Sequence, residues 1–263
     1  MAVARGLAAV GIADHDTVSG IPAAMARAAE YGRGRLEVVP GLEINTDYRD
    51  GEIHILGYFI AWDDAVLAET LARLRTGRTA RAEKILAKLQ ALGIRLSLDR
   101  VISLGEEGSV GRPHVARAMV EAGCVKSVKE AFDAYLKRGK PAYVERMRFS
   151  PVEAVKAVRQ AGGVAVLAHP AAEATPALIR DLVQAGLEGL EVRHPEHDLR
   201  LEQMYGAMAR ELGLVATGGS DSHGPSQTYG ADVGSYTVNA GVVTELRRRA
   251  ERRRTENGTL QAR

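Results

Sequence analysis

Short apolar runs rich in Val, Ile and Leu alternate along this chain with longer stretches of helical period. Val10–Ala13, Glu37–Ile44, Ile53–Ile60, Val164–Ala168, Leu187–Val192 and Leu214–Thr217 read as strands. Most are apolar on both faces, as the strands of a helix-covered parallel sheet must be. Helical periodicity predicts helices over Ile21–Tyr31, Pro151–Ala161, Pro176–Ala185 and Leu199–Leu212. Ser150 ahead of Pro151 is a helix start, while Gly162-Gly163 and Gly213 stop helices just before the next strand. The alternation points to an α/β barrel or an open parallel sheet.

Two regions depart from that rhythm. Ala65–Leu92 is one long helix, with Leu67, Leu71 and Leu74, then Ile85, Leu89 and Leu92, on one stripe. From 95 to 149 the pattern is helical and polar, and reads as an insertion into a barrel built from 1–94 and 150–240. Residues 241–263 read as a basic helix fading into a tail, with arginines at Arg247–Arg249 and Arg252–Arg254.

Composition changes the picture little. The 263 residues carry 35 Lys+Arg and 33 Asp+Glu, a formal net charge of +2, so charge gives no case for nucleic acid as an obligate partner. Ordinary fractions, 46% hydrophobic and 26% charged, exclude a disordered or fibrous chain. Cys124 is the one cysteine, so no internal disulfide forms. The longest apolar stretches, such as Val164–Ala168, are too short to cross a bilayer, and no secretory signal follows Met1. The expectation is a cytoplasmic protein with no membrane association and no obligate protein partner.

The histidines change it a great deal. Of seven, His15, His54, His169, His194 and His223 lie within or just after predicted strands; His114 lies in the insertion and His197 starts a helix. Carboxylates sit at similar places: Asp14 and Asp16, Glu43, Glu191 and Asp221. In a β/α barrel the carboxyl ends of the strands converge on one face. A single histidine near a strand end is usually a core or capping residue, but five together argue for a metal-centred site. Imidazole with carboxylate suits Zn²⁺, Mn²⁺ or Fe²⁺. Glu43 and Asp221 are expected at or just past strand ends, where an unpaired carboxylate is costly. Asp14 is a candidate to orient His15, and Gly218-Gly219 to let a substrate approach the backbone.

Ala13-Asp14-His15-Asp16-Thr17, Gly41-Leu42-Glu43, Glu52-Ile53-His54-Ile55-Leu56-Gly57, Leu167-Ala168-His169-Pro170, Glu191-Val192-Arg193-His194-Pro195-Glu196-His197 and Gly219-Ser220-Asp221-Ser222-His223 resemble, in order and spacing, the PHP (polymerase and histidinol phosphatase) superfamily. Gly111-Arg112-Pro113-His114 and Gly139-Lys140-Pro141-Ala142-Tyr143-Val144 resemble its branch of nucleoside 3′,5′-bisphosphate phosphatases and RNA 5′-end trimming enzymes.

The resemblance implies a distorted (β/α)7 TIM-like barrel that holds two or three divalent metals (Mn²⁺, Zn²⁺ or Fe²⁺) and cleaves phosphate esters with metal-activated water. It implies that Glu43 bridges two metals, Asp221 binds one of them, His54 and His169 complete the second site, and His15 and His223 hold the third. Asp221, His223 and Glu43 are thereby the expected catalytic centre. Arg112, His114, His194, His197, Lys140 and Tyr143 are the expected substrate contacts. The family's opening strand, Asp-Leu-His-x-His followed by Ser-Asp-Gly, has no counterpart here, so the barrel is expected without its first strand and with an incomplete first metal site. A phosphoesterase acting on small nucleotides or short RNA ends is the first functional expectation; a metal-binding or partner-binding protein is the second. An amidohydrolase is disfavoured, because no predicted strand ends in the lysine such sites carboxylate. The arginine run could touch RNA, but Glu245 and Glu251 interleave with it as on a solvated helix face.

Overall fold

The computed structural model describes residues 1–32, 34–49, 51–105, 110–145, 148–170, 174–224 and 230–261. In chain order the elements are β1 (Ala9–Ile12), α1 (Gly20–Gly32), β2 (Glu37–Tyr48), β3 (Gly51–Tyr58), α2 (Ala65–Ala91), α3 (Leu98–Ser103), α4 (Arg112–Glu121), α5 (Val128–Ala131), α6 (Pro151–Gln160), β4 (Val164–Leu167), α7 (Pro176–Ala185), β5 (Gly189–Arg193), α8 (Leu199–Glu211), β6 (Val215–Gly218) and α9 (Gly241–Gln261). The chain divides into two compact units, 1–68 with 149–263, and 69–148. No helix among the described residues is long and apolar enough to cross a membrane.

The first unit is α/β. Its six strands lie in sequence order, and every strand predicted from the apolar runs is present. Val164–Leu167 is buried at every position, as a strand covered on both faces must be. The sheet is mixed, however, and not parallel throughout: β2 pairs antiparallel with β3, and β3 antiparallel with β4, while β1–β2, β4–β5 and β5–β6 are parallel. The reason is chain length. Ile44 and Ile53 are too close in sequence for a helical crossover, so the polar stretch Asn45–Tyr48 continues β2 and turns directly into β3.

A flat sheet of six strands spaced by about 4.8 Å would part its outer strands by roughly 24 Å. Yet the rings of His15, just past β1, and His223, just past β6, have centroids 6.0 Å apart. The sheet is therefore curled as in a distorted barrel, and the ends of its strands face a common centre.

Helix starts follow local chemistry. At α6, Ser150 accepts the Glu153 N–H (3.2 Å) while the Glu153 carboxylate accepts the Ser150 N–H (2.7 Å), a reciprocal cap. Thr175 and Asp198 cap α7 and α8 in the same position. The last helix is not a detached basic element. Leu246 and Ala250 of α9 pack against Val39, Phe59, Val164 and Val215 in the core of the first unit. Most of its arginines reach the rest of the unit: Arg247 pairs with Glu37, Arg252 and Arg253 with the buried Glu188, and Arg254 donates to the Phe59 carbonyl, while Arg248 pairs with Glu245 on the exposed face of the helix. The helix continues to Gln261; the final two positions of the expected tail lie outside the described residues.

The second unit is helical, with no strand among its described residues. Its limits differ from the expected insertion at 95–149. Ala82, Ile85 and Leu89 of α2 share one core with Val101, Val115, Met119 and Leu136, so most of the long helix belongs to this unit. The apolar stripe that made α2 legible as a helix could not say which core it faced.

Candidate metal and phosphate site

The first unit brings together the predicted metal-ligand residues. His15 follows β1, His54 lies on β3, His169 follows β4, His194 follows β5, and Asp221 and His223 follow β6. Glu43, expected at a strand end, instead lies in the middle of the twelve-residue β2. It reaches the same place because β2 runs on past the site, and a parallel bridge sets it beside His15.

Glu43 is the hub. Its Oε1 lies 2.6 Å from His54 Nδ1 and 3.2 Å from His169 Nε2, and its Oε2 lies 3.9 Å from His15 Nε2. His54 Nδ1 and His169 Nε2 are themselves 3.3 Å apart. Three polar atoms thus converge on a point where a proton or a cation must lie. One donor atom each from His15, Glu43 and His54 falls within 4.8 Å of the other two, a span that one metal ion can bridge. Burial alone would raise the Glu43 carboxyl, but hydrogen bonds from His169 and His54 and the nearby His15 hold it well below the usual range. Burial likewise pushes His54 down, and its bonds to Glu43 and Glu52 overcome this and carry it up to about 10.

The remaining rings extend the cluster in a chain of close ring contacts. Centroids are 5.3 Å apart for His15–His54, 5.1 Å for His54–His169, 5.0 Å for His169–His194 and 5.6 Å for His194–His197. Asp221 closes the arc, with Oδ2 3.7 Å from His194 Nε2 and Oδ1 3.7 Å from His223 Nδ1. Its carboxyl is held low: burial opposes this, while His194 and the neighbouring imidazoles favour the anion.

Hydrogen bonds fix which nitrogen each ring can offer. His223 Nδ1–H donates to the Asp221 carbonyl (2.9 Å), so Nε2 is the nitrogen it can offer a cation. His197 Nδ1–H donates in the same way to the Val192 carbonyl (2.8 Å). His194 is the opposite case: its Nδ1 accepts the Glu196 N–H (3.2 Å), so Nε2 carries the hydrogen. Among the described residues that buried Nε2 has no hydrogen-bond partner. His194 is thus built as a donor toward the site, and among the same residues the buried His15 Nδ1 has no partner either. Imidazoles in several protonation forms around two carboxylates make a donor set that fits divalent transition metals.

A Cβ on Gly218 would lie 2.5 Å from the Arg193 carbonyl on the neighbouring strand, so its small size serves strand packing. The Asp16 side chain braces the His15 segment against β2, while Asp14 presses against Gly20, where a Cβ would meet its Oδ2 at 2.4 Å. The sequence marks Asp16 and Glu191 only as carboxylates near histidines and gives no signal at Asn45; the structure pairs Asp16 with Asn45, and the buried Glu191 accepts the His169 N–H at 2.8 Å.

The second unit holds the other predicted residues. The Arg112 guanidinium lies 5.7 Å from the Phe132 ring centroid and 5.9 Å from that of Tyr143. Among the described residues no carboxylate pairs with it. His114 Nδ1 accepts the Gly111 N–H (3.0 Å) at the start of α4, which makes its Nε2 a donor, like that of His194. The Lys140 carbonyl accepts the Tyr143 N–H (3.0 Å), so these two share a turn.

No family model matches the chain. It is 35% identical over 239 residues to the 3′,5′-nucleoside bisphosphate phosphatase of Chromobacterium violaceum, covering 89% of this chain and 82% of that protein. It is 32% identical over 229 residues to the 5′-3′ exoribonuclease Rnm of Escherichia coli K12, covering 85% and 78%. Among solved structures, a Bifidobacterium adolescentis protein assigned as a metal-dependent phosphoesterase superposes with a TM-score of 0.79 at 29% identity, over 94% of this chain and 88% of that one. With the histidine–carboxylate cluster in place, these likenesses show that the chain belongs to the PHP superfamily of metal-dependent phosphoesterases, in the branch of nucleoside bisphosphate phosphatases and 5′-3′ exoribonucleases.

Proposed function

We propose that the protein is a metal-dependent phosphoesterase that hydrolyses phosphate esters of small nucleotides, such as 3′,5′-bisphosphates, or the 5′ ends of short RNA. The observation that carries this reading is the buried Glu43 carboxylate faced by His15, His54 and His169. Glu43, His54 and His169 would hold one divalent metal, and Asp221, His15 and His223 would complete the two- or three-metal set, with Mn²⁺, Zn²⁺ or Fe²⁺ as candidates. Such ions neutralise phosphate charge and lower the pKa of bound water toward neutrality.

The chain's own residues supply the rest. His194 Nε2–H donates to a substrate oxygen, and His197 Nε2 accepts. Arg112 clamps a phosphate through its planar fork, which an ammonium does less well; His114, Lys140 and Tyr143 add further phosphate contacts. Ser220 and Ser222 are not required as nucleophiles.

The test is elemental analysis of the purified protein, followed by phosphate release from a nucleoside 3′,5′-bisphosphate and mononucleotide release from a 5′-phosphorylated RNA oligomer in Mn²⁺. Bound metal with turnover of either substrate is expected. Absence of both metal and turnover would overturn the reading, and metal without turnover would leave a binding protein in its place.

A further inference from the structure

Asp16 adopts a left-handed backbone conformation (φ 52°) and is completely buried. A non-glycine residue is held in that region only when its surroundings over-determine it, and such residues gather at functional sites. Here the surroundings are specific. The Asp16 N–H donates to the Glu43 carbonyl (2.8 Å), and the Glu43 N–H donates to the Asp14 carbonyl (3.0 Å), which sets His15 beside Glu43. The Asp16 carboxylate then accepts twice from Asn45: from its backbone N–H at Oδ1 (3.2 Å) and from its side-chain Nδ2 at Oδ2 (2.8 Å). Asn45 lies two residues beyond Glu43 on β2, on the same face, and is the cross-strand partner of His54. One side-chain pair therefore touches the immediate neighbours of His15, Glu43 and His54, the three residues whose donor atoms cluster within 4.8 Å.

We propose that Asp16 and Asn45 form a clip that fixes the spacing of His15, Glu43 and His54 within the two- or three-metal set, as positioning residues that do not touch the metals. This rests on the metal-site reading above. The chemistry of the pair fits such a clip, because a carboxylate accepts both N–H groups of Asn45 and neither Asp16 nor Asn45 displaces an imidazole from the cluster.

The test is Co²⁺ binding to the full chain, read by the visible absorption spectrum and by competition with a chelator, with the thermal stability of the metal-free protein measured in parallel. Asp16→Asn places two amide donors against each other, and Asn45→Asp places two carboxylates together. Each should weaken Co²⁺ affinity about 10- to 100-fold and alter the spectrum. The double exchange Asp16→Asn with Asn45→Asp restores a donor–acceptor pair and should recover the wild-type spectrum and most of the affinity. Asn45→Ala, which keeps the backbone bond and removes only the side-chain donor, should show an intermediate loss if either single exchange fails to fold. Unchanged affinity and spectrum in Asn45→Ala, or a double exchange no better than the single ones, would overturn the clip while leaving the metal site standing. Wild-type protein that binds no Co²⁺ would overturn both.

Discussion

Glu43 Oε1 and His54 Nδ1 stand 2.6 Å apart in the buried centre of the cluster, and without metal that contact is an ion pair. Its proton is what a cation must displace. His54, carried up to about 10, holds its second proton at neutral pH, and Glu43 raises His169 against its burial in the same direction, whereas a metal takes only the neutral ring. Metal affinity should therefore rise with pH, by about tenfold per unit for each proton displaced, and level off only as pH passes the raised His54 value. For the metal-free fold the sign reverses. The raised His54 gives stability that is complete below about pH 6.5 and lost as pH climbs through about 10. Calorimetric titration with Mn²⁺ at several pH values, in buffers of different ionisation heat, counts the protons released; a pH-independent affinity would refute the assignment of these rings as ligands.

His194 and His223 flank Asp221 but carry their hydrogens on different nitrogens, and their variants should part accordingly. His223→Ala removes a lone pair aimed at the site, so it should lower the bound metal content. His194→Ala removes a donor, so it should leave metal content unchanged and reduce kcat/KM about 10- to 100-fold, the worth of one hydrogen bond to a charged group. Asp221→Asn should reduce kcat by roughly 10³-fold, as loss of a central electrostatic group does. Metal analysis beside steady-state kinetics on the three proteins separates the cases, and metal loss in His194→Ala would contradict its donor role.

How far the sequence carries this site depends on what each residue had to reveal. The buried strands were legible because Val164–Leu167 and their like are apolar on both faces, and the helices because Ser150-Pro151 and Thr175-Pro176 are strong starts. The histidines were legible as a set, since five of the seven lie within or just after an apolar run. The hairpin was not: Asn45–Tyr48 is polar, and Thr46 is nonetheless fully buried, its hydroxyl bonded to the Ile53 carbonyl, so polarity disguised strand as loop. Glu43 was consequently placed at an end it does not occupy. Asp16 and Asn45 look like ordinary turn and strand polar residues until the register sets them face to face.

Gly230 braces Asp221. Its φ is +76°, and a Cβ there would lie 1.9 Å from the Asp221 carbonyl, while the next residue, Ala231, donates to the Ser220 carbonyl (2.8 Å). Asp221 is itself left-handed, with φ 47°. Gly230→Ala can be accommodated only by moving Asp221, and a shift of about 1 Å at a reacting centre can cost on the order of 100-fold in rate. The variant should keep its fold by circular dichroism yet lose activity and metal on that scale. Unimpaired kinetics would show that the Asp221 position is not set by this contact.

The buried Glu188 anchors the last helix at the other end of β5. It meets Arg252 at 3.3 Å, Arg159 at 3.8 Å and Arg249 at 3.9 Å, and it pairs with the buried Arg253. Glu188→Gln leaves these guanidinium groups without their common counter-charge, which costs about 3–5 kcal/mol where one partner of a buried pair is removed. For a unit of this size that is a fall in Tm on the order of 10 °C. Six residue steps along β5 separate Glu188 from His194, about 20 Å of extended chain, so metal affinity measured well below the lowered Tm should match the wild type. The arginines of α9 are thereby assigned to holding the helix in the core, and a Glu188→Gln protein with unchanged Tm would return them to the solvent.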